Sequence, residues 1–336
     1  MNNIAADPSE TTHAFHALDP ATMLDAVEST GRRCTGAVLE LNSYENRVYR
    51  IALEDAAPVV AKFYRPERWS DEAILEEHDF TLELNALDIP VVPPLIDAGT
   101  TLHHAGPFRF ALYPLKGGRA PDLEDAAQLT QFGRFLGRIH ACGAQRDFAH
   151  RPTLSVEHFG DASYEYLLDH DFLPPELASN YEGLAEDLLD AVEDRLDEAG
   201  DVEILRLHGD CHPGNILWTD DGPHIVDFDD ARMGPAMQDV WMFITGERLQ
   251  MERHLGELLA GYTQFYDFDT RELALIEPLR TLRIMHYAAW LGRRWDDPAF
   301  RRAFPWFNTQ HYWQEHILAL KEQAALLNDP PLEWNP

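Results

Sequence analysis

Strand-like and helix-like patterns are segregated along this chain, and the change comes near Gly118. Before it, short β-branched runs separated by polar turns predict strands over 34–41, 47–53, 58–64, 95–98 and 108–113. After it, long apolar periods predict helices over 122–142, 177–199, 238–266, 272–295 and 309–327, with short strands over 203–207, 216–218 and 224–226. This segregation predicts an α+β fold rather than an alternating α/β one.

Two lobes of unequal size follow from this order. We expect a loose arm over 1–18, a small antiparallel-sheet lobe over 19–115 and a larger, mainly helical lobe over 116–336. The small lobe should also hold two helices. One begins at the Asp19-Pro20 cap, and the other runs from Ser70 to about Leu87.

Charge and cysteine content limit the function classes. The chain has 27 basic and 58 acidic residues, a formal charge of −31, so we expect neither nucleic acid nor an anionic membrane as a partner. The three cysteines stand apart, which indicates no disulfide framework. With neither a secretory signal nor a membrane-spanning run in the sequence, we expect a cytoplasmic protein. Separately, we expect it to be a monomer.

The densest polar cluster is L-R-L-H-G-D-C-H-P-G-N-I-L-W at 205–218, followed by I-V-D-F-D-D at 225–230. Asp210 precedes Asn215 by five residues, and Asp227 ends the next short strand. Phosphoryl transfer uses one carboxylate to orient the attacking hydroxyl and an amide plus a carboxylate to hold Mg²⁺ on nucleotide phosphates. The spacing matches H-R-D-x-x-x-x-N followed by D-F-G, and therefore predicts use of ATP and Mg²⁺.

The combination H-G-D-x-H-x-G-N and I-x-D-F resembles the phosphotransferase superfamily of aminoglycoside and choline kinases, which share the protein-kinase fold. Segments at 41–49, 60–69, 277–280 and 293–300 are similar to the bacterial stress response kinases, described as serine/threonine protein kinases. The resemblance spans the chain from about residue 13. It implies a bilobal kinase-like fold and a Ser/Thr hydroxyl of a protein as acceptor.

Carried over by residue, the resemblance makes Asp210 the catalytic base, Asn215 and Asp227 the magnesium ligands and Lys62 the lysine of the third strand. Asp227 is counted among the catalytic residues as well. Lys62 ends the apolar run V-V-A-K in a chain with only three lysines, and its ammonium suits a contact with nucleotide phosphates. Its partner should be Glu76 or Glu77 on the following helix, and alignment with the family it resembles, starting from the P-V-V-P that closes this helix in relatives, favours Glu77.

The nucleotide-binding turn departs from the protein-kinase pattern. G-x-G-x-x-G is missing, and N-S-Y-E-N at 42–46 occupies the turn. Backbone amides and the Ser43 hydroxyl would then contact the phosphates. The run 110–115, which includes Tyr113 and Leu115, would supply backbone hydrogen bonds to the adenine.

Several residues have more than one interpretation. His208 and His212 have a structural role or are zinc ligands, and the absence of a third ligand at metal-site spacing argues against zinc. Asp229 binds a second metal or bonds neighbouring backbone, and Cys211 packs in the core or has a redox role. One predicted helix face either pairs with acids of its own lobe or binds an acidic or phosphorylated partner; its members are Arg280, Arg283, Tyr287, Trp290 and Arg294.

Three functions remain open at this stage. The first is a protein kinase of the stress-response type, and the second is a small-molecule kinase acting on an amino alcohol, aminoglycoside or sugar. The third is a pseudokinase that binds nucleotide without turnover. The presence of Lys62, Asp210, Asn215 and Asp227 argues against the third, because a protein that only binds does not need the base.

Overall fold

A computed structural model describes residues 15 and 17–334 of the protein. The strands are β1 (Cys34–Glu40), β2 (Arg47–Leu53), β3 (Val59–Phe63), β4 (His103–Ala105), β5 (Phe108–Pro114), β6 (Leu205–Leu207), β7 (Ile216–Thr219), β8 (Gly222–Ile225) and β9 (Arg232–Gly234). The helices are α1 (Pro20–Glu28), α2 (Asp71–Ala86), α3 (Ala126–Gly143), α4 (Ala162–Asp169), α5 (Pro175–Ala199), α6 (Met237–Val240), α7 (Arg248–Tyr262), α8 (Ile276–Gly292), α9 (Pro298–Ala303) and α10 (Gln310–Leu326).

These elements pack as two compact units. The sheet unit ends its first segment at Asp71 and also contains Pro94–Leu115 and Arg294–Pro305, whereas the helical unit contains Glu72–Pro93, Lys116–Arg293 and the chain from Trp306. One boundary between the units falls between Leu115 and Lys116, and the division into lobes over 19–115 and 116–336 stays a prediction. The arm predicted over 1–18 lies, apart from residues 15, 17 and 18, outside the described residues.

The sheet unit is built on five antiparallel strands in the order β1-β2-β3-β5-β4. Helix α1 begins where expected, because the Asp19 carboxylate accepts a hydrogen bond from the Thr22 N–H and Pro20 starts the first turn. The sheet and α1 share one apolar core, whose fully buried members include Val27, Ile51, Ala61, Phe63 and Phe110. The α+β prediction is confirmed, and so are the first three strands and both helices predicted near them.

The prediction of a strand over 95–98 is wrong. Leu95 donates one backbone hydrogen bond to Leu112, but Ala98 has φ 51°, which turns the chain out of the extended conformation. The strand beside β5 is β4, whose sequence H-H-A carries no apolar alternation. β4 is a strand because it pairs with β5, and its own sequence pattern does not predict a strand.

The helical unit packs around one large apolar core in which α3 and α7 lie closest. A Cβ atom at Gly133 or Gly261 would overlap the backbone of the opposite helix, so glycine is needed for this approach. The long helix predicted over 238–266 is instead α6, a 3₁₀ turn and α7. The one predicted over 272–295 is a 3₁₀ helix over Thr270–Leu275 followed by α8, which ends at Gly292. None of the helices in the described part of the chain is both long and apolar enough to cross a membrane.

Glu272 gives this unit a pH dependence that can be tested. Burial raises the pKa of its carboxyl from 4.5 to about 7, although the carboxyl accepts a hydrogen bond from the Met237 N–H at the start of α6. Folding therefore favours the protonated form, and stability from this group falls as pH rises from 4.5 to about 7. In the parent protein the unfolding free energy should fall by about 2–3 kcal/mol over that interval because of this group. We expect Glu272→Gln to abolish this fall, as measured by urea unfolding across the same pH range.

The matched control is Glu322→Gln on the exposed face of α10. It should leave the pH profile of unfolding as in the parent protein. A Glu272→Gln profile that parallels the parent between pH 4.5 and 7 would contradict the shifted pKa.

Candidate active site

The loop between β6 and β7 carries the H-G-D-C-H-P-G-N motif and folds around a glycine. Gly209 has φ +84°, and a Cβ atom there would overlap the carbonyl oxygen of Asp230. Before it, His208 is buried, with Nε2 within 2.9 Å of the Val226 carbonyl oxygen and Nδ1 accepting the Asp210 N–H. Both ring nitrogens of His208 are used inside the loop, which supports its structural interpretation.

Asp239 anchors this loop through hydrogen bonds, and its role was not predicted from the sequence. Its buried carboxylate accepts hydrogen bonds from the His208 N–H at 2.8 Å and the Gly209 N–H at 2.9 Å, and it lies 3.3 Å from His140 Nε2. Burial alone would raise the pKa of Asp239, but these partners outweigh it and hold the pKa below the usual value. One signal was available, namely a lone carboxylate within the apolar run M-Q-D-V-W-M-F.

Three predicted residues come together at the end of this loop. The Asn215 side-chain amide donates to the Asp210 carbonyl oxygen at 3.0 Å, and the Val226 N–H donates to the Asn215 carbonyl oxygen at 3.0 Å. Asp227 therefore follows directly on a residue bonded to Asn215. It has φ 65° and ψ 61°, a left-handed conformation that is uncommon outside glycine and concentrates at functional sites.

The chemistry of these groups fits a divalent cation shared with a nucleotide. The Asn215 amide nitrogen is used within the loop, so its oxygen is the atom available for a cation, and Asp227 supplies a carboxylate. Among the described residues, no three or more His, Cys, Asp or Glu side chains are grouped to hold a metal by themselves. Two oxygen ligands completed by substrate phosphates is the usual arrangement for Mg²⁺ in kinase sites.

Asp210 has two cationic or titratable neighbours. The Arg283 guanidinium from α8 lies 2.5 Å from Asp210 Oδ1, and His212 Nε2 lies 3.6 Å from Oδ2. Burial lowers the pKa of His212 despite the adjacent carboxylate, so the imidazole is neutral at pH 7. Arg283 is thus the charged partner of Asp210, and its side chain is 39% exposed.

The predicted arginine face divides. Arg280 pairs with Glu277 at 2.8 Å and Arg283 with Asp210, so both meet acids of the helical unit. Arg294 follows the end of α8, belongs to the sheet unit and pairs with Glu45 at 2.6 Å. All three arginines form ion pairs, but the prediction of partners within the predicted lobe holds only for Arg280 and Arg283, because Glu45 lies in the predicted 19–115 lobe. The shared face ends with the helix at Gly292.

The two glutamates considered as partners of Lys62 have different surroundings. The Glu76 carboxylate accepts the backbone N–H groups of Ala149, His150 and Arg151 at 2.7–3.0 Å. Glu77 is buried and lies 3.2 Å from the Arg151 guanidinium, which also donates to the Asp229 and Ala231 carbonyl oxygens. Through Arg151, α2 is tied to the segment that follows Asp227.

Four of the predicted nucleotide-binding residues, Ser43, Lys62, Tyr113 and Leu115, belong to the sheet unit, whereas Glu77 belongs to the helical unit. Lys62 stands on β3 opposite Val48 of β2 and Ala111 of β5, is 6% exposed and has its ammonium 5.2 Å from the Tyr64 ring centre. The Tyr64 and Tyr113 hydroxyls are hydrogen-bonded at 3.0 Å. Ser43 lies in the turn between β1 and β2, and Leu115, 36% exposed, follows β5.

Cys211 follows Asp210 and Asp229 follows Asp227 by two residues, and the alternative roles of both gain no support from the structure. Cys211 is fully buried, and burial raises the pKa of its thiol well above the usual value, which is the environment of a packing residue. Asp229 is buried, and its carbonyl oxygen accepts from Arg151. Its role as a second metal ligand stays a prediction.

Comparison with known proteins adds sequence relatives. The phosphotransferase enzyme family model matches residues 38–276. Stress response kinase A of Escherichia coli K12 is 42% identical over 336 residues, covering 100% of this chain and 99% of the relative. The serine/threonine protein kinase RdoA of Salmonella typhimurium is 41% identical over 328 residues, covering 98% of this chain and 99% of the relative.

Solved structures with little sequence identity share the fold. Amicoumacin kinase hAmiN in complex with AMP-PNP, Ca²⁺ and Ami has a TM-score of 0.72 at 18% identity, covering 94% of this chain and 95% of that one. A microcompartment-associated aminopropanol kinase has a TM-score of 0.66 at 17% identity, covering 91% and 96%. At such identities the likeness extends to the fold alone.

Proposed function

Since this chain belongs to the phosphotransferase enzyme family, and within it to the stress response kinase A group, we propose that it transfers the γ-phosphate of ATP to a Ser or Thr hydroxyl of a protein. Mg²⁺ is the proposed metal, and a bacterial stress response is the proposed setting. The observation that carries the reaction is the junction of Asp210, Asn215 and Asp227 through the two 3.0 Å hydrogen bonds at Asn215.

The catalytic loop accounts for the chemistry of the acceptor. Asp210 orients the hydroxyl and accepts its proton as the hydroxyl oxygen bonds to the γ-phosphorus, while the bond from that phosphorus to the β,γ-bridging oxygen breaks and ADP leaves. Asp239 and Gly209 hold the loop so that this carboxylate keeps its position. Asn215 and Asp227 are the proposed ligands of Mg²⁺, which neutralises phosphate charge when it is bound.

The sheet unit and α2 account for the nucleotide. Lys62 is the proposed contact to the phosphates, and Glu77 is its proposed partner, because Glu76 is already bonded to three backbone N–H groups. The turn with Ser43 would cover the phosphates. Backbone groups of Tyr113 and Leu115 would hydrogen-bond the adenine.

Arg283 supports a protein acceptor over a polycationic small molecule. A guanidinium beside the base repels a cationic substrate, whereas a neutral Ser or Thr hydroxyl is compatible with it. The 41% identical relative named a serine/threonine protein kinase supports the same acceptor. Release of ADP with Mg-ATP and a panel of protein and small-molecule acceptors tests this: turnover with an aminoglycoside or amino alcohol alone would refute the protein assignment.

Arg283 itself should affect the rate. We expect Arg283→Gln to lower kcat about 10- to 100-fold with a small change in the KM for ATP, because the guanidinium positions Asp210 and offsets its charge next to the phosphates. Steady-state ADP release measures both constants. Arg280→Gln, one turn away on α8 and paired with Glu277, is the matched control and should keep kcat within about threefold. An equal loss in both variants would assign Arg283 to stability only.

A further inference from the structure

The segment Arg294–Pro305, here called the clamp segment, belongs to the sheet unit although it follows α8 in the chain. It contacts the turn at 42–46 at two points. The Arg294 guanidinium lies 2.6 Å from Glu45 Oε2, and the rings of Tyr44 and Phe304 have centres 4.7 Å apart. The R-R-W-D-D-P-A-F motif at 293–300 thus overlaps the segment that touches the turn.

Asp297 extends this contact through two arginines of the sheet. Its Oδ2 lies 3.2 Å from the Arg47 guanidinium and 3.3 Å from that of Arg65. Arg65 also reaches Glu45 Oε1 at 3.0 Å, and its backbone N–H donates to the buried Asn46 side chain at 3.0 Å. The side chains of Glu45, Arg65, Arg294 and Asp297 are all at most 15% exposed, so water screens these ion pairs little.

The arginines also fix the direction of the backbone. Arg65 Nε donates to the Glu45 carbonyl oxygen at 2.9 Å, and Arg47 donates to the Tyr44 carbonyl oxygen at 3.4 Å. In a planar trans peptide the N–H points opposite to the C=O. The N–H groups of Glu45 and Asn46 are therefore directed away from the guanidiniums.

The same groups give the turn a local positive charge. Arg68 joins the network with its guanidinium 3.8 Å from Glu45 Oε2. Among the described residues named here, Arg47, Arg65, Arg68 and Arg294 contribute four positive charges to the network, and Glu45 and Asp297 contribute two negative charges. In a chain with a formal charge of −31, such an excess attracts an anion locally.

We propose that Arg294 and Asp297 of the clamp segment are positioning residues for the nucleotide phosphates, holding the turn at 42–46 so that its backbone amides face them. This rests on the proposed function, in which that turn covers ATP. In a glycine-rich loop, absent side chains allow the backbone to approach the phosphates. Here the approach is set by ion pairs from the other end of the chain.

The test separates phosphate recognition from adenosine recognition. We expect Arg294→Gln to raise the KM for ATP about tenfold, with kcat within about threefold and the inhibition constant of adenosine unchanged. The KM for ATP of Arg294→Lys should lie between those of the parent protein and Arg294→Gln, because an ammonium pairs with Glu45 without the forked geometry of arginine. Arg33→Gln, which removes an exposed ion pair of the same unit, is the matched control and should change none of these constants.

Asp297→Asn, assayed in the same way, keeps the proposal testable if Arg294→Gln fails to fold, as judged by its melting temperature. It should also raise the KM for ATP and leave adenosine inhibition unchanged. An unchanged KM for ATP, or equal weakening of ATP and adenosine, would overturn the positioning role. A parent protein that neither binds nor turns over ATP would instead refute the proposed function.

Discussion

Replacing Asp210 with asparagine should lower kcat about a thousandfold while Mg-ATP still raises the melting temperature. Asparagine keeps the shape of the side chain but cannot take the proton of the acceptor hydroxyl, and general base catalysis contributes about 10²- to 10⁴-fold. Initial rates of ADP release measure the loss, and a thermal shift titration with Mg-ATP measures binding. Loss of turnover with retained binding is the pattern expected of a catalytic base.

The control for this variant is Asp221→Asn in the exposed turn between β7 and β8, which should retain full activity. If Asp210→Asn keeps more than about a tenth of the parent rate, Asp210 is not the base. If the parent binds Mg-ATP but transfers no phosphate to any acceptor or to itself, the pseudokinase interpretation replaces the enzyme.

Asp239→Ala should cost about 3–5 kcal/mol of unfolding free energy. The substitution leaves the buried N–H groups of His208 and Gly209 and the buried His140 imidazole without their shared acceptor. Because the pKa of Asp239 is held below 3.8, its contribution is present at neutral pH and is lost as pH falls through that region. Urea unfolding at pH 7 and at pH 3 measures both effects.

Asp187→Ala, an exposed site on α5, is the matched control and should change the unfolding free energy by less than about 0.5 kcal/mol. A cost below about 1 kcal/mol for Asp239→Ala would show that the loop is held without this carboxylate. Activity should fall together with stability, since the same carboxylate positions the loop that carries Asp210.

Local signals explain which parts of the fold were predictable. The first helix has its cap and its proline in sequence order, and the first three strands show short β-branched runs, so both could be located from neighbouring residues. Strand β4 exists because β5 pairs with it, and the hydrogen bond from Leu95 to Leu112 has no trace in the sequence around Leu95. Arg294 falls within the helix predicted over 272–295 but lies beyond the observed one, because α8 ends at Gly292.

The candidate site shows the same division. The spacing of Asp210, Asn215 and Asp227 is a local pattern, and the structure brings these residues together. Asp239 and Arg283 reach the loop from later helices, and only the tertiary packing decides which acid meets which arginine. Spacing in the sequence cannot specify such long-range pairs when 58 acidic residues are available.

The clamp segment has a consequence for protein synthesis. Arg294 follows Leu115 by 179 positions, so the sheet emerges from the ribosome well before the residues that hold its turn. At about 5–20 residues per second, the interval is roughly 9–36 s. During it the chain has its strands but lacks Arg294 and Asp297. With the proposed positioning role, a product that ends before Arg294 would therefore bind ATP more weakly than the full chain. An incomplete polypeptide would then hold little ATP.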